Sequence, residues 1–376
     1  MNSRPSVYET DALPLSYRGI LLIIISEIIL ILMKEASFYK KVEDAVRCGL
    51  CARECTISEG NTGVCRVRKN VKGKLYSLVY GKICSMAVDP IEKKPLYMFA
   101  PGSKTLSISS IGCNFKCQFC CNWQISQEAS ISGEEYSPEQ IVEIAKEQGV
   151  QGISYTYVEP TVFYEFAYDT AKLASKEGFY NTFVTNGYTK PDAIKKISKY
   201  LDAATVDFKG SANPLFYKKF SQIPKVEPVF DALLAYKNNN VYVEITDLIV
   251  PEFGDNLEDL RKLCKWIVEN LGNETPFHIL QFFPTHRMTD VPRTPVEKLE
   301  NAYKTAKEEG LKYVYLGNVH GHKYENTYCP KCGELVIERT IMGIKNFLLK
   351  RDLKCPHCGE KIPIYGLKWV PNELWK

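Results

Sequence analysis

The sequence predicts an α/β protein: an open partial (β/α)6-type parallel barrel, preceded by a cysteine-rich segment and followed by a zinc-ribbon-like module. Three observations predict it. From Lys104 onward, short β-prone apolar runs alternate with amphipathic helical stretches, the pattern of a parallel sheet covered by helices. The first of these strands leads into Cys113-Asn-Phe-Lys-Cys117-Gln-Phe-Cys120, so a set of thiols stands where barrels of this kind keep their chemistry, at the C-terminal ends of the strands. Two further cysteine clusters, at residues 48–65 and 329–358, bracket the repeats. The expected division is therefore 1–33, an apolar extension; 34–103, a four-cysteine metal-binding segment; 104–322, the partial barrel; and 323–376, the ribbon-like module.

The chain has 376 residues, enough for one large domain or two to three smaller ones. Hydrophobic residues at 45% and charged residues at 24% are ordinary for a globular protein. A formal net charge of +4 is too mild to argue for nucleic acid, and lysines and glutamates alternate along residues 298–309 as on a solvated helix face. Eleven of the fourteen cysteines fall in the three clusters at metal-ligand spacing. That argues against a disulfide framework and for a reducing compartment, the cytoplasm. Cys84, Cys121 and Cys264 are left over and read as ordinary buried thiols.

Residues 20–33 are apolar apart from Ser26 and Glu27. A helix of that length reaches roughly 21 Å at about 1.5 Å per residue, short of the roughly 30 Å of a bilayer core. Arg18 before the run gives it a faint signal-peptide look. The reading adopted is an extension that is not native, with Met33 as the true start. A peripheral anchor comes next and a membrane span last, so no membrane partner is expected.

Residues 34–103 carry Cys48-x2-Cys51-x3-Cys55-x9-Cys65, with Gly49, Gly60 and Gly63 giving the turns between ligands their freedom. Four thiolates suit structural zinc and equally a second [4Fe–4S] cluster. Both stay open, with zinc or another structural role placed first.

The barrel elements follow in order. Residues 105–111 form the first strand. Ser137-Pro138 opens a helix, Ser as N-cap and Pro at the first helical position; Ile141, Ile144 and Ala145 are its apolar face and Gly149 ends it. Strands are expected at 152–157, 180–185, 204–209, 241–250, 277–283 and 313–316. Helices are expected at 162–177, 191–200, 229–237, 257–271 and 296–309. Cys329-Pro-Lys-Cys332-Gly and Cys355-Pro-His-Cys358-Gly are two knuckles whose glycines can take positive φ, and together they predict a four-thiolate zinc site. A dense basic stripe with interleaved aromatics is lacking there, so the ribbon is read as a staple and not as a nucleic-acid module.

The thiols at Cys113, Cys117 and Cys120 can hold three irons of a [4Fe–4S] cluster and leave the fourth without a protein ligand. An open position is where a substrate or cofactor binds, as in catalytic zinc sites. Polar groups at other strand ends are candidates to meet what binds there. Glu159 lies in Tyr157-Val-Glu-Pro-Thr161, where Pro160 interrupts pairing and exposes carbonyls; a first-turn acid is the bland alternative. Thr185-Asn186-Gly187 can be a plain turn or can place the Asn186 amide on a ligand. Asp207 and Lys209 share one face of their strand and need partners or a ligand there. His286 follows the sixth strand and can serve the site or the structure. His320-Gly-His322 reads as a loop.

These motifs resemble the radical S-adenosylmethionine (SAM) superfamily. In order, residues 48–65, Pro90-Ile-Glu-Lys-Lys-Pro-Leu-Tyr97, the Cys113 motif, Tyr157-Val-Glu-Pro-Thr161, Val184-Thr-Asn-Gly-Tyr188, Asp207-Phe-Lys209 and Gly317-Asn-Val-His-Gly-His322 resemble the group called the AmmeMemoRadiSam system radical SAM enzyme, similar in turn to pyruvate formate-lyase activating enzymes. The resemblance implies that Cys113, Cys117 and Cys120 ligate a [4Fe–4S] cluster and that Glu159, Asn186, Asp207, Lys209 and His286 contact SAM. It implies reductive cleavage of SAM to a 5′-deoxyadenosyl radical that abstracts hydrogen from a protein or small-molecule substrate. It also implies an electron donor of the ferredoxin or flavodoxin type, and Memo-type and AMMECR-type proteins as partners. Two positions depart from the pattern: Val158 stands where Asn is expected, and Met98 where His is expected. The competing function is a non-catalytic iron–sulfur or zinc-binding interaction protein.

Overall fold

A computed structural model describes residues 33–127, 130–340 and 343–375. The apolar run expected at 20–33 lies outside the described residues except for Met33. Eight strands form one sheet in sequential order: β1 (Ser85–Pro90), β2 (Lys104–Ser109), β3 (Gly152–Tyr155), β4 (Tyr180–Thr185), β5 (Ala203–Lys209), β6 (Tyr242–Ile249), β7 (Phe277–Gln281) and β8 (Val314–Gly317). From β2 to β8 every neighbour is parallel. β1 runs antiparallel on the β2 edge, Asp89 opposite Thr105. The sequence reading did not contain β1: its residues show no clean alternation, and its pairing is with the strand that follows a loop.

Six helices make the crossovers: α1 (Pro138–Glu147), α2 (Tyr164–Lys176), α3 (Pro191–Ile197), α4 (Glu227–Asn238), α5 (Leu257–Asn270) and α6 (Val296–Glu308). Ser137 and Gln140 close a capping box on α1, satisfying two of the N–H groups that a helix start leaves free. Asn256 accepts from the N–H groups of Glu258 and Asp259 to start α5. α2 is preceded by a 3-10 turn, Pro160–Phe163, because Pro160 and the cap at Glu159 tighten the entry. Ala167, Ala171 and Ala174 are buried on α2, so that helix lies close on the sheet.

One face of the sheet is unusually polar. Thr105 Oγ1 and Ser154 Oγ are 2.8 Å apart, and Ser154 Oγ and Thr182 Oγ1 are 2.6 Å apart, all fully buried. Buried hydroxyls must be paired, and here they pair across strands. Residues 94–98 cross this face. Thr205 donates to the carbonyl of Lys94, and Glu244 accepts the N–H groups of Tyr97 at 3.0 Å and Met98 at 2.8 Å while His278 Nε2 lies 2.7 Å from it. Met98, the departure noted above, is a core residue packed with Tyr315, Cys329 and Val336.

Short antiparallel strands build the N-terminal segment: Tyr39–Val42, Ala45–Cys48 and Thr56–Ser58 in one sheet, Lys34–Glu35, Lys74–Ser77 and Arg68–Val71 in another. The segment docks at the upper rim. Ala52 N–H donates to Tyr188 O and Lys190 N–H to Leu50 O, just past β4. Arg68 and Glu165 of α2 form a two-pronged ion pair at 2.9 and 3.0 Å, each side chain 3% exposed. The C-terminal sheet, Thr327–Tyr328, Leu335–Thr340 and Gly343–Phe347, packs through Tyr313 and Tyr315 near the start of β8. It therefore sits at the strand N-terminal ends, away from Cys113. Among the described residues no helix is long and apolar enough to cross a membrane.

Candidate active site at the strand ends

Cys113, Cys117 and Cys120 occupy the loop directly after β2. The loop is held from several sides. Gln127 Nε2 donates to Cys117 O at 2.8 Å, Lys116 N–H to Ser221 O at 3.1 Å, and Arg287 N–H to Gln118 O at 2.8 Å. Phe115 N–H lies 3.4 Å from Cys113 Sγ and Ser126 Oγ 3.3 Å from Cys120 Sγ, so the sulfurs have donors suited to thiolates. Burial pushes the Cys113 thiol well above the usual range, with Glu159 adding to it, and pushes Cys117 up to about 11 against the pull of Lys209. Thiols in such surroundings become thiolates only beside added positive charge, which iron supplies. The residues present therefore fit an iron–sulfur cluster.

Asn186 is next to Cys113. Its Nδ2 donates to Asn114 Oδ1 at 2.7 Å and stands 3.8 Å from Cys113 Sγ, and its Oδ1 accepts Tyr188 N–H at 3.0 Å. Lys209 is a cation of the site. Its Nζ is 3.8 Å from Asp207 Oδ2. Burial works against the ammonium, but Asp207 and the sulfurs of Cys117, Cys120 and Cys113 outweigh it and hold Lys209 above its ordinary range. Asp207 also accepts Thr246 Oγ1. His286, at φ 53°, stacks on Trp123 with ring centroids 5.0 Å apart, and Trp123 begins the short helix that follows Cys120.

Glu159, expected to meet a ligand, bonds the protein's own turns. Its carboxylate, 3% exposed, accepts Thr161 N–H at 3.0 Å, the Thr161 hydroxyl, Thr185 Oγ1 at 2.8 Å and Asn186 N–H at 2.8 Å. It is a positioning residue that ties the end of β3 to the end of β4. Burial pushes its carboxyl up against those hydrogen bonds. Val158 is buried beside it, so the position that lacks Asn is a packing position.

Other placements refine the reading. Cys264 is buried as expected, but Cys121 is exposed and Cys84 only half-buried, donating to Ser110 O at 3.0 Å. His322 spends Nδ1 on Tyr324 N–H and lies 3.3 Å from Glu300, as a loop residue does. The sequence reading missed a group on the polar face: Asp89, which receives Lys94 Nζ, Lys93 Nζ and Tyr157 OH, each at 2.7 Å. Burial pushes the Asp89 carboxyl up, but these three donors prevail and hold it well below the usual range. Lys94 is 2% exposed and lies over the Tyr157 ring at 4.6 Å. The only signal for it was the charged run inside Pro90–Tyr97, since Tyr157 is far away in sequence.

The four sulfurs of Cys329, Cys332, Cys355 and Cys358 lie within 4.8 Å of one another, with pairs at 3.5 and 3.6 Å. Gly333 and Gly359 turn the two knuckles at φ 77° and 75°.

Residues 107–267 match the model of the radical SAM superfamily. An uncharacterized protein of Methanocaldococcus jannaschii is 48% identical over 336 residues, covering 88% of this chain and 99% of that protein. The pyruvate formate-lyase-activating enzyme of Clostridium pasteurianum is 26% identical over 223 residues, covering 55% of this chain and 92% of that enzyme.

Proposed function

Because this chain belongs to the radical SAM superfamily, we propose that Cys113, Cys117 and Cys120 ligate a [4Fe–4S] cluster whose fourth iron takes SAM, within a partial (β/α)6-type barrel. The protein is a radical SAM enzyme: one electron from the cluster cleaves SAM to methionine and a 5′-deoxyadenosyl radical, which abstracts hydrogen from the substrate. The observation that carries the residue assignment is the meeting of the three thiols of the Cys113 loop with Lys209 and Asn186 at the ends of neighbouring strands.

In this reading the protein's own groups orient and neutralise, while the cofactor supplies the hard chemistry. Lys209 offers its ammonium to a carboxylate, Asp207 offers acceptors to ribose hydroxyls, and Asn186 lines the approach beside Cys113. Glu159 keeps Thr185 and Asn186 in place. His286, backed by Trp123, faces SAM or substrate. The kinship with an activating enzyme supports abstraction from a protein glycine; a small molecule is the other donor class.

The remaining assignments belong to the same reading. We place the chain in the AmmeMemoRadiSam group, with Memo-type and AMMECR-type proteins as partners and a ferredoxin or flavodoxin as electron donor in the cytoplasm. The sulfur spacing at Cys329–Cys358 supports a zinc ribbon: about 2.3 Å bonds at tetrahedral angles set sulfurs about 3.8 Å apart. Cys48, Cys51, Cys55 and Cys65 form the second metal site, zinc or iron–sulfur. The divisions at 34–103, 104–322 and 323–376 follow these three cysteine sets.

Anaerobic reconstitution with iron and sulfide, followed by dithionite and SAM, tests the reading. Formation of 5′-deoxyadenosine that disappears in Cys117→Ala is the expected result. A cluster-loaded protein that releases none would favour a non-catalytic metal-thiolate protein. A glycyl-radical signal on mixing with a partner protein would identify the protein-directed form.

A further inference from the structure

The structure carries two kinds of cysteine site. In the C-terminal module the sulfurs are drawn together as one tetrahedral ion requires. Cys48, Cys51, Cys55 and Cys65 instead line one cavity without gathering even three sulfurs within that 4.8 Å limit, among the described residues. Thiolates on separate corners of an iron–sulfur cube stand farther apart than thiolates on a single ion.

Two nearly inaccessible side chains share the walls of this cavity, Arg68 at 2% exposure and Asn114 at 1%. Arg68 Nε and Asn114 Nδ2 are buried donors with no hydrogen-bond partner among the described residues. Such donors are costly unless something accepts from them. The inorganic and thiolate sulfurs of a cluster are acceptors, and N–H groups aimed at them tune its potential.

The cavity also adjoins the Cys113 loop. A Cβ added at Gly112 would lie 2.9 Å from Cys65 O, so the two cysteine loops touch through their backbones. Asn114 bridges them: it lines the cavity, receives Asn186 Nδ2 on Oδ1, and its carbonyl accepts Arg53 Nε at 2.8 Å.

We propose that Cys48, Cys51, Cys55 and Cys65 bind a second [4Fe–4S] cluster, which receives one electron from a ferredoxin- or flavodoxin-class carrier and passes it to the neighbouring cluster. The transfer moves a single electron, with no bond made or broken. The relay rests on the reading of Cys113, Cys117 and Cys120 as ligands of the SAM cluster; the second site does not.

The test uses the full chain, reconstituted anaerobically with iron and sulfide. The triple variant Cys113→Ala/Cys117→Ala/Cys120→Ala is expected to keep about four irons with matching sulfide and an EPR signal on reduction. The variant Cys51→Ala/Cys55→Ala is expected to lose those four and still form 5′-deoxyadenosine with titanium(III) citrate, but at least about tenfold more slowly with reduced flavodoxin. A triple variant without iron, and with a second zinc per chain, overturns the second cluster and leaves the SAM reading intact. A triple variant that keeps its four irons, while wild type makes no 5′-deoxyadenosine, overturns the SAM reading and leaves the second cluster standing. Unchanged flavodoxin-driven rates in Cys51→Ala/Cys55→Ala overturn the relay. If that variant does not fold, iron, sulfide and EPR on the triple variant decide the site, and loss of the signal there overturns it.

Discussion

Glu159 accepts the backbone N–H of Asn186 at 2.8 Å, across the gap between the ends of β3 and β4. With Thr185 and Thr161 on the same carboxylate, one buried acid fixes the turn that carries Asn186 to Cys113. Glu159→Gln keeps the size but puts an NH2 among donors. We expect a loss of about 1–3 kcal/mol in stability, as for other buried polar groups left mismatched, together with weaker SAM binding. Urea unfolding and equilibrium SAM binding check this, and unchanged values in both would remove Glu159 from the positioning role.

Lys209 lies 3.8 Å from Asp207, and the sulfurs of Cys117, Cys120 and Cys113 add to the field that favours its ammonium. Lys209→Met removes the charge and retains much of the stem. SAM binding is expected to weaken about tenfold or more, the size of a lost hydrogen bond to a charged group. The cluster should also become harder to reduce, because a nearby cation favours the added electron. Calorimetric binding and a potentiometric EPR titration read the two effects separately.

Asp247 has no exposure, and burial holds its carboxyl up to about 6 against two hydrogen bonds from Ser211. The folded state thus binds this proton more tightly than the unfolded chain, whose value is 3.8. The resulting stability is complete below the unfolded value and is lost as pH rises through the folded one. Relative to Asp247→Asn, wild type should lose on the order of 3 kcal/mol between about pH 4 and pH 7. A stability difference that is flat with pH would contradict this.

Cys329, Cys355 and Cys358 share a hydrophobic cluster with Met98, Tyr313 and Tyr315, and Cys332 completes their set of four sulfurs. Cys332→Ser is expected to release about one zinc per chain and to expose residues 327–365 to proteolysis. Because the module lies at the strand N-terminal ends, the cluster after β2 should keep its iron. Metal counts and limited proteolysis on the same sample test both halves.

Gly112 stands at φ 94°, and a Cβ there would meet Val67 Cγ1 at 2.8 Å as well as Cys65 O. Gly112→Ala combines a left-handed conformation with contact against backbone. A cost of about 1–3 kcal/mol is expected, with lower iron loading at both flanking cysteine sets. Thermal unfolding and iron analysis would show it; a variant with wild-type stability would mean the loops do not meet as described.

Much of the fold was legible because each strand and helix of the parallel sheet is a local signal. Residues 180–185 were read as a strand and β4 occupies those positions; Ser137-Pro138 announced α1 by its cap. The edge strand β1 was not legible, since its burial does not alternate and its ladder pairing is to β2. Asp89, Lys94 and Tyr157 escaped for a similar reason. Their contacts join residues up to 68 positions apart, and nothing in either local segment demands the other.

Thiol spacing and the alternation of strands and helices from residue 104 onward were determined by the sequence alone, because both depend on residue type and near neighbours. Only the tertiary structure decided that Glu159 bonds the protein's own turns, that Lys209 feels the charge of three sulfurs, and that the Cys65 and Cys113 loops touch. Those relationships come from packing between segments distant in the chain, where the cost of burying a charge or an unpaired donor selects which groups finally meet.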